Sequence, residues 1–286
     1  MKVIKDTELI LTPDKKIYHL NISSNQIADN IIIVGDQRRV KQVSKHFDKI
    51  EYLIENREFV THTGFYKGKN ISVISTGIGT DNIDIVINEL DAIVNIDFDT
   101  RTINSKKKSL NIIRLGTSGA IQKDVEVDSF LMATHGLGFD GLAHFYKSTN
   151  IIDNEMSDAF TTYSKWSNKL AKPYIVGASK KLLAKFSGFK KGITATSPGF
   201  YAPQGRKLRI TPAIKGLHNI MTSFQYKGKR IVNFEMETSA LYFLGKVLGH
   251  DTLTICAIIS NRITQKQSKD YKKTLDRLIF TVLDKF

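Results

Sequence analysis

The feature that most constrains the fold of this chain is a nearly continuous apolar run at residues 252–260, TLTICAIIS. A strand with one face in water alternates apolar and polar residues, whereas a strand covered on both faces is apolar almost throughout. The run therefore predicts a strand inside a parallel or mixed sheet. Length alone permits one large domain or two small ones, because the chain has 286 residues.

Strand-like and helix-like segments alternate along the rest of the chain. Residues 58–66 and 70–77 are typical of a hairpin, and residues 81–93 place Ile83, Val86, Ile87 and Leu90 on one helical face. Residues 235–248 are typical of a helix that Gly249 ends. Because no unit repeats, the pattern predicts a single α/β domain over residues 1–286, in which helices sandwich the sheet.

Two polar segments interrupt this order. Residues 99–109 (DTRTINSKKKS) are expected to form an exposed insertion. Residues 197–216 contain three of the five prolines and cannot be regular structure throughout. Long irregular loops in compact domains are usually functional or disordered, and this one combines aromatic, amide and guanidinium groups, which favours a functional loop.

The composition argues against several classes of protein. The formal net charge is +14, but lysines are spread from Lys2 to Lys285 without an arginine-rich stripe, so a solvated surface is favoured over a nucleic-acid footprint. No apolar run reaches the roughly 18 to 20 residues of a membrane span, and the charged N-terminus does not resemble a secretion signal. We therefore expect a cytoplasmic protein that binds neither a membrane nor a specific nucleic acid.

Cys256 is the single cysteine, which excludes an internal disulfide and a cysteine-based metal cluster. Its apolar neighbours predict a buried, unreactive thiol. His135 and His144 lack acidic residues at a useful spacing, so no metal site is expected. Trp166 is interpreted as a packing residue.

Two glycine-containing segments are candidates for binding an anion. Residues 35–40 (GDQRRV) follow an apolar run and open a helix, so free backbone N–H groups and Arg39 could bind phosphate. Arg114 lies in an apolar strand pattern before Gly-Thr-Ser-Gly, and burying it requires an anionic partner. That partner is either a bound anion or an internal carboxylate such as Glu235 or Glu237.

Glu235, Met236 and Glu237 open the helix that Gly249 ends. Carboxylates in a first turn suit the helix dipole, which is a sufficient structural reason for both. A carboxylate is also a natural acceptor for a sugar diol, so Glu237 is a candidate ribose ligand.

Six motifs in register resemble the uridine phosphorylase branch of the nucleoside phosphorylase-I family. They are GDxxRV, REF, STGIG, RxGTSGAIQ, FYxPQGR and NFEMETSALY, and the similarity extends from about Tyr18 through Arg262. The resemblance implies a three-layer αβα sandwich with a central mixed, partly barrel-like sheet. It also implies a homodimer at least, with a hexamer of three dimers as the larger form.

The resemblance further implies roles for individual residues. The catalytic groups are Arg39, Arg114 and Glu237, and His19 and Arg57 reach the site of the neighbouring subunit. The binding groups are Gly35, Arg39, Arg57, Arg114 and Thr117 for phosphate, His19, Met236 and Glu237 for ribose, and Phe200, Gln204 and Arg206 for the base.

The base-binding residues favour a pyrimidine. Uracil presents a carbonyl, an N–H and a second carbonyl along one edge, and a glutamine amide with an arginine can satisfy all three. Purine-cleaving relatives place an Asp after the late apolar strand, where it can protonate the leaving purine. That position is Asn261 here, which cannot act as a general acid.

The expected reaction is phosphorolysis of uridine, or a related pyrimidine nucleoside, to uracil and ribose 1-phosphate. Phosphate is the co-substrate and no cofactor is implied. Gln37 replaces the family's usual proline, and Asn82 stands near where a serine would help Glu58 hold a monovalent cation, so no ion is predicted.

Three alternatives stay open at this point. A purine nucleoside phosphorylase or a hydrolytic nucleosidase could use the same scaffold, although a hydrolase needs no phosphate clamp. A nucleoside-binding protein without catalysis is the alternative from another class. It would be expected to lose its phosphate-binding residues, which are present here.

Overall fold

A computed structural model describes residues 2–286 as a mixed sheet surrounded by helices. The strands are β1 (Asn30–Val34), β2 (Lys49–Asn56), β3 (Phe59–Tyr66), β4 (Lys69–Ser75), β5 (Ile96–Asp97), β6 (Thr102–Ile103), β7 (Asn111–Ala120), β8 (Phe130–Gly138), β9 (Tyr174–Gly177), β10 (Lys190–Thr196), β11 (Gln225–Tyr226), β12 (Lys229–Glu235), β13 (Asp251–Asn261) and β14 (Lys266–Gln267). The helices are α1 (Gln37–Ser44), α2 (Thr80–Asn95), α3 (Asn154–Ser164), α4 (Lys180–Lys185), α5 (Leu217–Ser223), α6 (Thr238–Leu248) and α7 (Tyr271–Leu283).

Five strands of the main sheet close into a barrel. The 12-stranded sheet runs β11-β12-β10-β8-β13-β7-β1-β4-β3-β2, with β9 beside β8 and β14 beside β13 as its two further strands. In addition, β12 pairs with β7. The closing pair is antiparallel and joins Asn233 to Ala120 and Phe234 to Gly119. The strands β7, β13, β8, β10 and β12 therefore form a ring, and β1 to β4 extend the sheet from it. The predicted α/β fold with a mixed, partly barrel-like sheet is confirmed.

The strand at residues 251–261 lies where its apolar run predicted. Here β13 pairs in parallel with β7 and antiparallel with β8, so it has neighbours on both edges. Leu253, Ile255 and Ile258 are fully buried. A strand with neighbours at both edges and packing on both faces exposes no apolar side chain, which explains the continuous run.

Helix α6 lies very close to the backbone of β8. A Cβ atom added at Gly136 would lie 2.8 Å from the Cα of Ser239, so a side chain does not fit between the strand and the helix. The helix ends at Leu248, directly before Gly249, as predicted. This close approach fixes the start of α6, and with it Glu235 and Glu237, against the barrel.

The two polar segments are irregular, as expected. Residues 99–109 contain only β6, which pairs with β5 in a small separate hairpin. Within residues 197–216 the only regular structure is one short turn of 3-10 helix, Ala202–Gln204. Strand β2 and helix α3 were not predicted. Among the described residues, no helix has the length and apolar character needed to cross a membrane.

Candidate active site

A cavity of about 740 Å³ opens at the ends of several strands of the sheet. Its wall begins with Gly35 after β1, continues with residues 117–119 late in β7, and includes residues 234–237 at the junction of β12 and α6. Ligands in α/β folds gather at the carboxyl ends of strands, where helix N-termini and loop side chains converge. The remaining lining comes mainly from α1 and from the loop at residues 197–216.

One end of the cavity carries the predicted phosphate-binding groups. Asp36 caps α1 by accepting a hydrogen bond from the amide of Arg38 at 2.9 Å, which fixes the start of the helix beside Gly35. The Arg39 guanidinium donates to the carbonyl of Leu115 at 3.1 Å. Burial lowers the pKa of Arg39, and nearby Arg114 lowers it further. Arg39 also lines the cavity, so its remaining guanidinium N–H groups are available to an anion.

Arg114 is buried and paired with two buried carboxylates. Its Nη1 atom lies 3.1 Å from Oε2 of Glu235, and its Nη2 atom donates to Oε2 of Glu237. Burial alone lowers the pKa of Arg114, but Glu237 and then Glu235 raise it above its ordinary value. The internal salt bridge considered from the sequence therefore exists, and the three side chains also line the cavity together with Thr117.

Glu237 also contacts the turn that starts α2. The amide of Gly79 donates to Oε1 of Glu237 at 2.9 Å. Gly79 has a φ of 104°, which a residue with a side chain rarely adopts, so glycine is needed where this amide turns towards the carboxylate. Met236 lies beside Glu237 in the cavity wall, as the ribose assignment requires.

The other end of the cavity carries the predicted base-binding groups. Gln204 is only 3% exposed, and its Oε1 atom accepts from Arg206 at 2.5 Å. The Arg206 guanidinium lies 3.7 Å from the ring centroid of Phe200 and donates to the Phe200 carbonyl at 2.6 Å. Phe200 itself is 51% exposed, so its ring offers a free face at the cavity.

A second arginine holds Gln204 and was not singled out from the sequence. Arg262 donates to the Gln204 carbonyl at 2.6 Å and to its Oε1 atom at 2.7 Å. Its guanidinium lies 5.1 Å from the ring centroid of Phe234. Burial, and then Arg206, lower the pKa of Arg262 to about 10. The sequence feature that could have identified Arg262 is its position directly after the end of β13, because site residues gather at this strand end.

His19 and Arg57 do not line this cavity. The Nδ1 atom of His19 lies 2.6 Å from Oε1 of Glu89, and Arg57 donates to the hydroxyl of Tyr18 at 3.1 Å. Their predicted place is the site of a neighbouring subunit, which stays a prediction. The carbonyl of Arg57 accepts from the side-chain Nε2 atom of Gln37 at 3.1 Å.

Asn261 is committed to backbone groups outside the main cavity. Its Nδ2 atom donates to the carbonyls of Gln122 and Val125, and its Oδ1 atom accepts from the amides of Ile263 and Thr264. The side chain is 2% exposed and lines only a smaller neighbouring pocket. Asn261 therefore holds a turn and does not line the main cavity.

Other reactive residues are accounted for by packing. Cys256 is buried, and burial raises the pKa of its thiol to about 11. Trp166 stacks on Phe139 with ring centroids 4.8 Å apart, which confirms its packing role. Among residues 2–286, no group of three or more His, Cys, Asp or Glu side chains is placed to hold a metal ion.

Comparison with known proteins shows similarity over nearly the whole chain. The profile of the family described as "Phosphorylase superfamily" matches residues 29–279. A uridine phosphorylase of Thermococcus kodakarensis is 30% identical over 90% of this chain and 81% of its own length. A DeoD-type purine nucleoside phosphorylase of Bacillus cereus is 28% identical over 93% of this chain and 97% of its own length.

A solved structure extends the similarity to the whole fold. It is a Trypanosoma brucei nucleoside phosphorylase whose description states that it shows uridine phosphorylase activity. It superimposes with a TM-score of 0.86 at 27% identity, over 97% of this chain and 98% of its own.

Proposed function

The chain belongs to the phosphorylase superfamily, and from that premise we propose that it cleaves uridine, or a closely related pyrimidine nucleoside, with inorganic phosphate. The products are the free base and ribose 1-phosphate. One observation carries the proposal: a single cavity is lined by Arg39 and Arg114, which suit an anion, and by Gln204 and Arg206, which suit the edge of uracil. The two relatives that act on uridine by name support the choice of base.

Phosphate binds to Arg39, Arg114, Thr117 and the amide at Gly35 in this proposal. It attacks the anomeric carbon of the ribose from the face opposite the base, and the bond to the base nitrogen breaks. The sugar gains positive charge in the transition state, which the phosphate itself stabilises. Positioning and preorganised charges supply the catalysis, so no covalent intermediate with the protein is needed.

The leaving uracil carries negative charge, which Arg206 stabilises while Gln204 binds the edge of the ring and Phe200 packs on its face. Met236 and Glu237 hold the ribose, with Glu237 accepting from the 2′- and 3′-hydroxyls. No cofactor is required in this proposal beyond phosphate as co-substrate.

We propose a homodimer at least, and a hexamer of three dimers as its larger form. In either assembly Arg57 completes the phosphate site of the neighbouring subunit, and His19 binds the ribose 5′-hydroxyl there. The dependence on a second subunit is supported by the position of both side chains away from their own cavity. The place of the reaction is the cytoplasm, and the partners are small molecules.

A purine nucleoside is the second candidate substrate, because DeoD-type purine phosphorylases are also similar to this chain. The side chain of Asn261 argues against it. An amide cannot donate a proton to a leaving purine, and all four of its hydrogen bonds go to backbone groups. Protonation of a purine at that position therefore lacks a donor.

A panel of uridine, deoxyuridine, thymidine and inosine, assayed with and without phosphate, tests the proposal. We expect free base only when phosphate is present, and most rapidly from a pyrimidine nucleoside. Release without phosphate would indicate a hydrolase, faster release from inosine a purine phosphorylase, and binding without turnover a nucleoside-binding protein.

Arg39→Gln is expected to raise the KM for phosphate at least about tenfold, the loss of one charge-assisted contact. Lys41→Gln is the matched control, since Lys41 lies on the same helix, is exposed and does not line the cavity. Equal effects of both variants would contradict the phosphate assignment.

A further inference from the structure

The guanidinium of Arg114 pairs with two carboxylates at once. Those carboxylates differ in the further hydrogen bonds that hold them. Arg114, Glu235 and Glu237 are 6%, 4% and 4% exposed, so all three charges are almost removed from water. We call these three side chains the charge triad. With both carboxylates ionised, the triad carries a surplus negative charge inside the proposed phosphate site.

Glu235 is held by a full set of donors. It accepts from the Thr196 hydroxyl at 2.6 Å and from the amides of Glu237 and Thr238 at 3.0 Å each. With Arg114 as the fourth donor, the acceptor capacity of the carboxylate is filled. Because three of these donors belong to the barrel wall and the start of α6, Glu235 cannot leave Arg114 without losing buried hydrogen bonds.

Glu237 is held more loosely. Apart from Arg114 it accepts from the amide of Gly79 at 2.9 Å and, over a longer 3.3 Å, from that of Met236. Burial raises the pKa of Glu237, and Glu235 adds to the rise although Arg114 opposes it. One guanidinium cannot fully stabilise two buried carboxylates, and Glu237 is the one with acceptor capacity to spare.

We propose that Glu235 is a positioning residue that keeps Arg114 in the cavity wall while Glu237 exchanges Arg114 for the sugar diol. This inference rests on the proposed function, because it assigns phosphate to Arg114 and the diol to Glu237. When phosphate binds Arg114, the contact between Arg114 and Glu237 weakens. Glu237 then accepts hydrogen bonds from the ribose hydroxyls. A ribose that satisfies Glu237 leaves more of the Arg114 charge for phosphate.

The consequence is that phosphate and nucleoside strengthen each other's binding. Such coupling is reciprocal by thermodynamic necessity, and typical couplings between sites are about 5- to 150-fold. We expect about tenfold here, because one ion pair is shared between the two ligands. Without the Glu235 charge, Arg114 stays with Glu237 as its sole carboxylate partner, so the exchange and the coupling are lost.

Calorimetry on the intact protein tests this with pseudouridine, whose carbon–carbon glycosidic bond is not phosphorolysed. Saturating pseudouridine is expected to lower the Kd of phosphate about tenfold. The 2′,3′-dideoxy form of pseudouridine keeps the carbon–carbon bond but lacks the diol, and we expect it to change the Kd of phosphate by less than about twofold. An equal effect of both nucleosides, or no effect of either, would overturn the inference even without any variant.

Two variants examine Glu235 itself. Glu235→Gln is expected to reduce the coupling to below about twofold and to raise both substrate KM values more than it lowers kcat. Thr196→Val removes one donor to the same carboxylate but leaves its charge, so the coupling should be retained. Full coupling in a folded Glu235→Gln protein would refute the positioning role.

The calorimetry also separates this inference from the proposed function. Tight but independent binding of phosphate and pseudouridine would overturn the inference alone. Failure of the protein to bind either ligand would overturn the proposed function, and the inference with it.

Discussion

Replacing Arg262 by methionine should impair binding of the base while leaving phosphate binding intact. Methionine keeps an unbranched stem of similar length in contact with Phe234 but removes the guanidinium. That group makes two hydrogen bonds of 2.6 and 2.7 Å, to the carbonyl and to Oε1 of Gln204. Arg206 remains as a donor to the same Oε1 atom, so the amide keeps one partner but loses its fixed orientation.

The size of the effect follows from these contacts. A hydrogen bond to a charged group contributes about 1.5–3 kcal/mol, and a cation–π contact at a partly exposed site adds about 0.5–1 kcal/mol. Because the Arg262 side chain is half-buried, hydrogen bonds to water compensate for part of the interaction energy that the variant loses. We therefore expect a loss of about 1.5–3 kcal/mol in transition-state binding, which corresponds to about 10- to 150-fold in kcat/KM for uridine.

The assay is steady-state kinetics in which uridine and phosphate are varied separately. The KM for phosphate should change by less than about twofold, because Arg39 and Arg114 lie at the other end of the cavity. A general loss of structure would instead raise both KM values and lower the melting temperature sharply. Unchanged uridine kinetics, or an equal loss for both substrates, would refute the role that we assign to Arg262.

Three further predictions concern the buried charges and the packing of the barrel. Arg114→Ala should lower kcat/KM by about 10³ or more. It should also destabilise the protein by about 3–5 kcal/mol, because Glu235 and Glu237 lose their cation. Near-normal turnover would contradict the role assigned to Arg114. Burial, and then nearby lysine, lower the pKa of His135 from 6.5 to about 4, so the unfolded chain binds more protons between these values. The contribution of His135 to stability should therefore be complete above about pH 6.5 and fall by about 1–2 kcal/mol as the pH drops towards 4, so denaturant titrations should find a smaller pH dependence in His135→Gln. Gly136→Ala should lower the melting temperature by several degrees, at about 2–4 °C per kcal/mol, because its Cβ would lie 2.8 Å from the backbone of α6; an unchanged melting temperature would show that the helix can shift freely.

The sequence predicted the elements whose patterns are local. The continuous run in β13, the face of α2 and the end of α6 at Gly249 follow from periodicity and from glycine at a helix terminus, and all three are confirmed. The closure of the barrel by β12 and β7 was not predictable from local pattern. Nothing in either strand specifies a partner more than a hundred residues away, and only the resemblance indicated a barrel.

The candidate site divides in the same way. Segments that combine Gly, Arg and Glu at strand ends identified most of the cavity wall, including Arg39, Arg114 and Glu237. The sequence could not show that Glu235 is the anchored carboxylate, since that depends on a hydroxyl from Thr196 on another strand. It also could not assign Arg262 to Gln204, because the two residues meet only after the loop folds over the end of β13.

The closed ring of five strands limits how the molecule can admit and release its ligands. Separating β12 from β7 would leave buried backbone N–H and C=O groups of both strands without hydrogen-bond partners, so the ring stays closed. Entry and exit must therefore use the irregular segment at residues 197–216 and the turn before α2. Substrate and product therefore pass surface segments that surround a frame which stays closed, the arrangement in which loop opening can limit the rate of an enzyme.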